Sequence, residues 1–564
     1  MAEIKKLTLL NVLKHAAENY SEKPAVSFVD RNKITYREFN SKVEEVSRFL
    51  KSKGIIAGDK VAILSENQPN WSIAFFAVTA MGAIAVPIMT EFHSTEVHHI
   101  LRHSESKAIF VSAKYFGKIE EFQFESLQTR ILVDDFSVIP PETKNDFLKE
   151  VIAGGKKEFA KIKEAAFKFV GLIPSEVEEE NVASILYTSG TTGHSKGVVL
   201  THKNIVSDAI ATLQIVNVTD SDRMLSILPL FHTIESTLGL VTPFIAGASI
   251  TYLDKPPTAA ALLPALAKVK PTVMLAVPLI IEKIYRAKIF PEFNRKAIVR
   301  GLYKIPAIRK RLNKIAGKKL LQTFGGELKM FCIGGAPLAA DVEKFLSESG
   351  FPYAIGYGLT ETSPLVTGTP PEFVRMRSAG KVLPGMQIKI NDPDPKTGEG
   401  EVLIKGPNVM KGYYKDSEKT ENVFDADGWF KSGDLGMIDK DGYLFIKGRS
   451  KNVIIGSNGK NIYPEETESV INEFPFVSES LVMEKGDQLI AKVYLNYEEI
   501  DNEFKIQRLS EPKAREIVNK LLFDLLIQVN ARVNTFSRLN KIIEQPEPFE
   551  KTPTQKIKRY LYVD

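Results

Sequence analysis

Cysteine is almost missing: Cys332 is the single one in 564 residues. An intrachain disulfide is therefore impossible, and a zinc site built from several cysteines is excluded. One thiol in so long a chain suits a reducing compartment, which predicts a cytoplasmic protein. Cys332, inside KMFCIGGAP, reads as a small core residue. A strong excess of one charge is also missing. The 74 Lys and Arg stand against 69 Asp and Glu, a net +5, too mild to indicate a nucleic-acid partner. The opening MAEIKKLTLLNVLKHAAENY has no apolar h-region, so no secretory leader is expected. The run WSIAFFAVTAMGAIAVPIM (71–89) nears the length of a membrane span, but Gly82 and Pro87 interrupt it and polar sequence flanks it. It predicts a buried helix feeding a core strand. There is no fixed-period repeat, no low-complexity tract and no Walker A motif.

What is present is alternation. YREFNSKVEEVSRFLKSKG has helical spacing and stops at a glycine, while DKVAIL, AIFVS and RILVDD read as short buried strands. Strand, helix, strand repetition predicts an α/β fold with mostly parallel sheets. A charged helical stretch, NDFLKEVIAGGKKEFAKIKEAAFKF, comes next. KMFCIGG (329–335) and YAIGYGLTET (353–362) read as strands ending in turns, where ligands collect in open α/β sheets. From about residue 378 the Asp427-Gly428 and Asp441-Gly442 turn signals predict antiparallel β structure. The last hundred or so residues read as a small α+β domain.

Between two apolar runs lies YTSGTTGHSKG (187–197). Glycines let backbone N–H groups converge, and hydroxyls and an ammonium add donors, which is what a polyphosphate needs. A solvated linker would not be bracketed by strand-like runs.

This loop resembles the phosphate signature of the adenylate-forming enzymes, the superfamily of acyl-CoA synthetases, peptide-synthetase adenylation domains and luciferases. The family's other signatures follow in order. GGAP (334–337) and GYGLTET (356–362) resemble its adenine-side segments, and KSGDLG (431–436) its ribose aspartate motif. GRSKNVIIGSNGKNIYPEE (448–466) resembles its hinge, and KTPTQKIKR (551–559) its terminal lysine motif.

The resemblance implies a domain of residues 1–450 with the ATP and acyl sites, including a β subdomain from about 378. It implies a mobile C-terminal domain, 451–564, hinged at Lys451. Thr188, Ser189, Gly190, Thr191, Thr192, Gly193 and Lys196 would hold the departing phosphates. Gly335, Ala336, Pro337, Tyr357 and Gly358 would bound the adenine, Tyr357 offering an aromatic face. Asp434 would accept from the ribose hydroxyls, with Arg449 as a permanent cation beside ribose or phosphate. Thr360 and Glu361 would sit at the reaction, Glu361 as a hard oxygen ligand for Mg2+. Lys556, which opens the K-I-x-R pattern, would reach the carboxylate and α-phosphate and offset charge at the pentavalent phosphorus. Gly459 would line the thiol tunnel, where a narrow pantetheine arm needs a close backbone.

LPLFHTIES (228–236) resembles the long-chain subgroup and places His232 and Glu235 at the acyl site. Two arginines usual there are Ser236 and Leu279 here, and the proline usual before the loop lysine is Ser195. Residues 283–319 form a basic segment with interleaved apolar residues, such as Arg309, Lys310, Arg311 and Lys314 beside Ile308 and Leu312. It suits an anionic membrane surface at the inner face, or an acidic partner. The reading is ATP-dependent activation of a medium- or long-chain fatty acid to acyl-AMP, then transfer to coenzyme A. Two alternatives stay open: transfer to the phosphopantetheine of acyl carrier protein, and a lipid-binding scaffold with a degenerate nucleotide site. A homodimer is a further expectation, as among long-chain relatives.

Overall fold

The computed structural model describes residues 4–31, 33–122, 124–140, 143–144, 176–188, 195–294, 297–455, 461–486, 488–552 and 556–562. The charged stretch NDFLKEVIAGGKKEFAKIKEAAFKF, the loop residues Ser189, Gly190, Thr191, Thr192 and Gly193, and Gly459 lie outside them.

Local signals place the first helices. Thr35 and Glu38 form a reciprocal capping box, and Tyr36–Ser52 then buries Tyr36, Phe39, Val43, Val46, Phe49 and Leu50 at helical spacing. The WSIAFFAVTAMGAIAVPIM run resolves as expected: helix Pro69–Ala80, a turn at Gly82, and strand Ile84–Pro87. That helix is apolar on all sides because it is enclosed on all sides. Trp71 stacks on Phe75 at 5.4 Å, and Phe76 stacks on Phe244 at 4.9 Å. Each such side chain contributes about 1.5–3 kcal/mol on burial. Among the described residues no helix is long and apolar enough to cross a membrane.

Two large sheets carry the N-terminal domain. In the eight-stranded sheet, Val182–Thr188, Ile84–Pro87, Lys60–Leu64, Ala108–Val111 and Thr129–Leu132 run parallel. Lys196–Thr201 returns antiparallel to Val182–Thr188, so the glycine-rich loop closes a hairpin. In the nine-stranded sheet the parallel set runs Tyr353–Gly358, Met330–Ile333, Val273–Ala276, Arg223–Ser226, Ser249–Tyr252, Pro24–Phe28. The region after 378 forms the expected antiparallel sheet: Gln387–Asn391, Gly400–Lys405, Phe430–Ile438, Leu444–Arg449.

A smaller C-terminal domain has its own core. Helices Pro464–Ile471 and Glu511–Asn530 pack on the sheet Val477–Lys485, Gln488–Leu495, Lys541–Gln545. The C-terminal ends of the parallel strands, the antiparallel sheet and the last residues of the chain meet at one cleft.

Candidate active site

The cleft is built from strand ends. Tyr353–Gly358 carries Tyr357 and Gly358 to its last two positions. Gly358 admits no side chain, because a Cβ there would lie 1.7 Å from the Pro364 carbonyl oxygen. That crowding fixes the following turn, Thr360–Thr362, which presents Thr360 and Glu361. Asn408 holds the turn from behind, donating to Thr362 O at 2.8 Å and Leu365 O at 2.9 Å.

Asp434 and Arg449 face each other across adjacent antiparallel strands. Arg449 Nε donates to Asp434 Oδ1 at 2.9 Å, and the Tyr357 hydroxyl donates to Oδ2 at 2.6 Å. Asp434 is 6% exposed. Burial raises its pKa above the usual carboxylate range, and Arg449, Tyr357 and Lys556 hold it down in part. Tyr357 therefore has two jobs in the geometry: its ring forms cleft wall, and its hydroxyl orients the aspartate.

Lys556 reaches this cluster. The residue is exposed, yet protein packs closely enough around its ammonium to desolvate it. Burial is the main cause of its lowered pKa; Arg449 lowers it further, while Asp434 and Glu361 raise it. The two neighbouring lysines are engaged elsewhere, Lys551 with Glu479 and Lys558 with Glu550. Lys451, on the turn Ser450–Asn452, is lowered by burial first and then by Arg449, Lys196 and Lys556. Lys196, Arg449, Lys451 and Lys556 thus form one cationic lining, suited to a polyanion.

The described ends of the glycine-rich loop join the same site. Thr188 pairs with Lys196 across the hairpin. The Lys196 ammonium lies 4.9 Å from the Tyr413 ring centroid, and the Tyr413 hydroxyl donates to Glu361 Oε1 at 2.9 Å. Tyr413 escaped the sequence reading. Its signal was Gly412, with φ +147° and a Thr420 side chain where a Cβ would go. Among the described residues no cluster of three or more His, Cys, Asp and Glu could hold a metal ion. A cation at Glu361 would draw its other ligands from substrate phosphates and water, the usual arrangement for Mg2+.

Beside the cleft an apolar cavity opens between the nine-stranded sheet and the π-helix Ile234–Val241, with empty volume near 850 Å³, mouth included. Ile234 and Leu238 form its helix wall, and Tyr357 and Gly335 stand at its cleft end. Cys332 packs against the core and also lines this cavity, and burial raises its thiol pKa to about 12. Ala336 and Pro337 are exposed beyond Gly335. His232 faces the cleft: burial lowers its pKa to about 4, with Lys556 adding to the shift, so the imidazole is neutral. Glu235 is 1% exposed and is not part of the cavity wall; it is coupled to Ser226 and Tyr252 in the interior.

Fold and motifs together define an adenylate-forming enzyme, with a large sheet-rich N-terminal domain and a smaller C-terminal one. The chain belongs to the AMP-binding enzyme family, whose model matches residues 13–414. It is 28% identical to the Mycobacterium bovis long-chain-fatty-acid–CoA ligase FadD15, over 93% of this chain and 90% of that one. It is 26% identical to the Arabidopsis thaliana chloroplastic long-chain-fatty-acid–[acyl-carrier-protein] ligase AEE15, over 98% and 85%. The ATP-bound MatB of Rhodopseudomonas palustris shares the fold at 24% identity and TM-score 0.76, over 99% of this chain and 98% of that one.

Proposed function

We propose that the protein activates a fatty acid with ATP and passes the acyl group to a thiol. In the first half a carboxylate oxygen attacks the α-phosphorus, the bond to the β-phosphate oxygen breaks, and pyrophosphate leaves. In the second half a thiolate attacks the acyl-AMP carbonyl and AMP leaves. The observation that carries this is the convergence of Lys556, Arg449, Asp434 and Glu361 at the mouth of an apolar cavity. Asp434 and Tyr357 hold the ribose and adenine side, and the Thr188 to Lys196 loop takes the departing phosphates. Mg2+ bound with ATP supplies charge neutralisation; Glu361 is the residue that would hold it. His232, neutral and beside Lys556, takes no proton-shuttling part and shapes the carboxylate's entry. A hinge at Lys451 would exchange Lys556 for the loop around Gly459 before thiol attack.

Coenzyme A is the preferred acceptor, in line with most of the fatty-acid ligases the chain resembles. Carrier protein is the second reading, supported by the likeness to an acyl-carrier-protein ligase. One panel decides: acids of graded length with ATP and Mg2+, each with coenzyme A or carrier protein, followed by product mass. Acyl-coenzyme A is expected. Acyl-carrier protein alone would reverse the acceptor, and no acid-dependent pyrophosphate release would leave the scaffold reading.

The basic segment lies on helices that pack against the opposite face of the nine-stranded sheet from the cavity. Two of its arginines are paired, Arg286 with Asp341 at 2.6 Å and Arg309 with Glu348 at 2.9 Å. Lys310, Arg311, Lys314, Lys318 and Lys319 have no carboxylate partner among the described residues, and Ile298, Leu302, Ile305 and Ile315 are exposed nearby. Cations with exposed apolar residues suit an anionic bilayer, about 1 kcal/mol per cation near the surface. The double variant Lys310→Gln/Lys314→Gln is expected to weaken binding to phosphatidylserine vesicles by about ten- to thirtyfold. Unchanged sedimentation with such vesicles would remove the membrane from this reading.

A further inference from the structure

We propose that the apolar cavity is a ruler for an acyl tail of about ten carbons, with its end set by Met330 and its bore kept open by Gly334. The inference rests on the acyl-activating reading above and narrows its substrate to medium-chain acids.

The cavity runs along the strands, not through them. Successive residues of Met330–Ile333 face opposite sides of the sheet. Phe331 packs with Phe345 and Phe351 on the far face, whereas Met330 and Cys332 face the cavity with Ala354; Ile333 packs in the far-face cluster and also borders the cavity. The cavity side therefore reads Met330, Cys332, Gly334 along one strand, and Ala354, Gly356, Gly358 along its neighbour. Both series shrink towards the nucleotide cleft. The wide end is the mouth, beside Tyr357 and hence beside Asp434 at 2.6 Å.

Gly334 is not a glycine that the backbone requires. Its φ is not positive, and a Cβ there would meet nothing closer than the Gly356 carbonyl oxygen at 3.5 Å. An alanine would fit the fold, so the missing side chain serves the cavity. Gly356 differs, because its Cβ would collide with Leu365 at 2.6 Å.

The other end is stopped twice. Met330, Met224, Val273 and Val218 converge on it. Just behind them Asp222, 1% exposed, accepts from Thr272 at 2.7 Å, from the Thr219 N–H at 2.8 Å and from Lys329 at 3.1 Å. Thr272 and Lys329 immediately precede the two strands, so this polar lock closes their starts. A longer tail would have to displace the hydrogen bonds that hold the buried Asp222 carboxylate. From Met330 to Gly334 is four residues of parallel strand, about 13 Å. At about 1.3 Å per methylene, from C–C bonds of about 1.5 Å, that spans about ten carbons.

The test is ATP–pyrophosphate exchange by the full chain with saturated acids of six to eighteen carbons. For the wild type, kcat/KM is expected to rise about fourfold per added methylene up to about ten carbons. It should then fall at least about tenfold by sixteen. Met330→Ala should move the optimum two to three carbons longer, and Gly334→Val should move it shorter by a similar step. Gly334→Ala, which fits without strain, should give a smaller shift in the same direction and guards against a misfolded valine variant. Equal use of ten- and sixteen-carbon acids by the wild type would overturn the ruler, as would an unchanged profile in Met330→Ala and Gly334→Ala. Exchange with none of these acids would instead overturn the acyl-activating reading on which the ruler rests.

Discussion

Lys556→Ala will lower fatty-acid-dependent ATP–pyrophosphate exchange by roughly 10²–10³-fold, the usual cost of removing one preorganised group aimed at developing transition-state charge. Four cations gather at the cleft, and Lys556 is the one supplied by the last residues of the chain. Thioester formation from supplied acyl-adenylate should be affected far less, because that half does not build charge at phosphorus. Lys551→Ala and Lys558→Ala are the controls, since their ammonium groups are tied to Glu479 and Glu550. The pH dependence carries a second signature. Burial, then Arg449, lowers the lysine's pKa, so its charge is lost at a lower pH than an ordinary lysine's. Exchange should therefore fall as pH rises through that lowered value, and Lys556→Arg, partly active, should extend the alkaline limb. Normal exchange by Lys556→Ala with failed thioester formation would assign the residue to the other half-reaction.

Most of the candidate site was read through motifs shared with the adenylate-forming enzymes, and one of them also has a backbone reason. Gly358, just before Thr360 and Glu361, stands where no side chain fits; the ends of the 188–197 hairpin lie on paired strands, and Asp434 sits mid-strand opposite Arg449. The preference for Lys556 over its neighbours also agrees with the ion pairs of Lys551 and Lys558. Contacts across long sequence separations were not legible. Lys196, Glu361 and Tyr413 meet through a ring and a hydroxyl on three distant segments. The aromatic face of Tyr357 could be read from its position, but its hydroxyl bond to Asp434, 77 residues away, could not. The cavity is invisible in any one stretch, because each strand contributes alternate residues. Cys332, read as a small core residue, packs against the core and also lines the cavity, which its own stretch could not show. The His232 and Glu235 spacing hid a divergence: three residues apart on the entry to a π-helix, one side chain faces the cleft and the other the interior.

That divergence gives the second large expected effect. Burial raises Glu235 to about 8, a hydrogen bond with Ser226 offsetting part of the shift. Its Oε2 has no hydrogen-bond partner among the described residues, and its carboxyl fills the space beside Gly239, where a Cβ would lie 2.6 Å from Cδ. An unfolded glutamate ionises near its ordinary value of 4.5. Between these two values the folded chain keeps the proton and the unfolded chain has lost it, so unfolding releases a proton and stability falls as pH rises. Below pH about 4.5 both states are protonated, and above about 8 both are ionised, so the loss is confined to that window and then levels off. Its size is on the order of a few kcal/mol, reached in full near pH 8. Glu235→Gln keeps the shape and removes the titration. The amide brings an extra donor, whose burial without a partner costs about 1–3 kcal/mol. At pH 5 the variant should therefore be no more stable than the wild type; by pH 8–9 it should be the more stable of the two. Denaturant midpoints at pH 5, 7 and 9 measure the difference directly, and parallel curves for the two proteins would mean that Glu235 is not the proton-binding group in this interior.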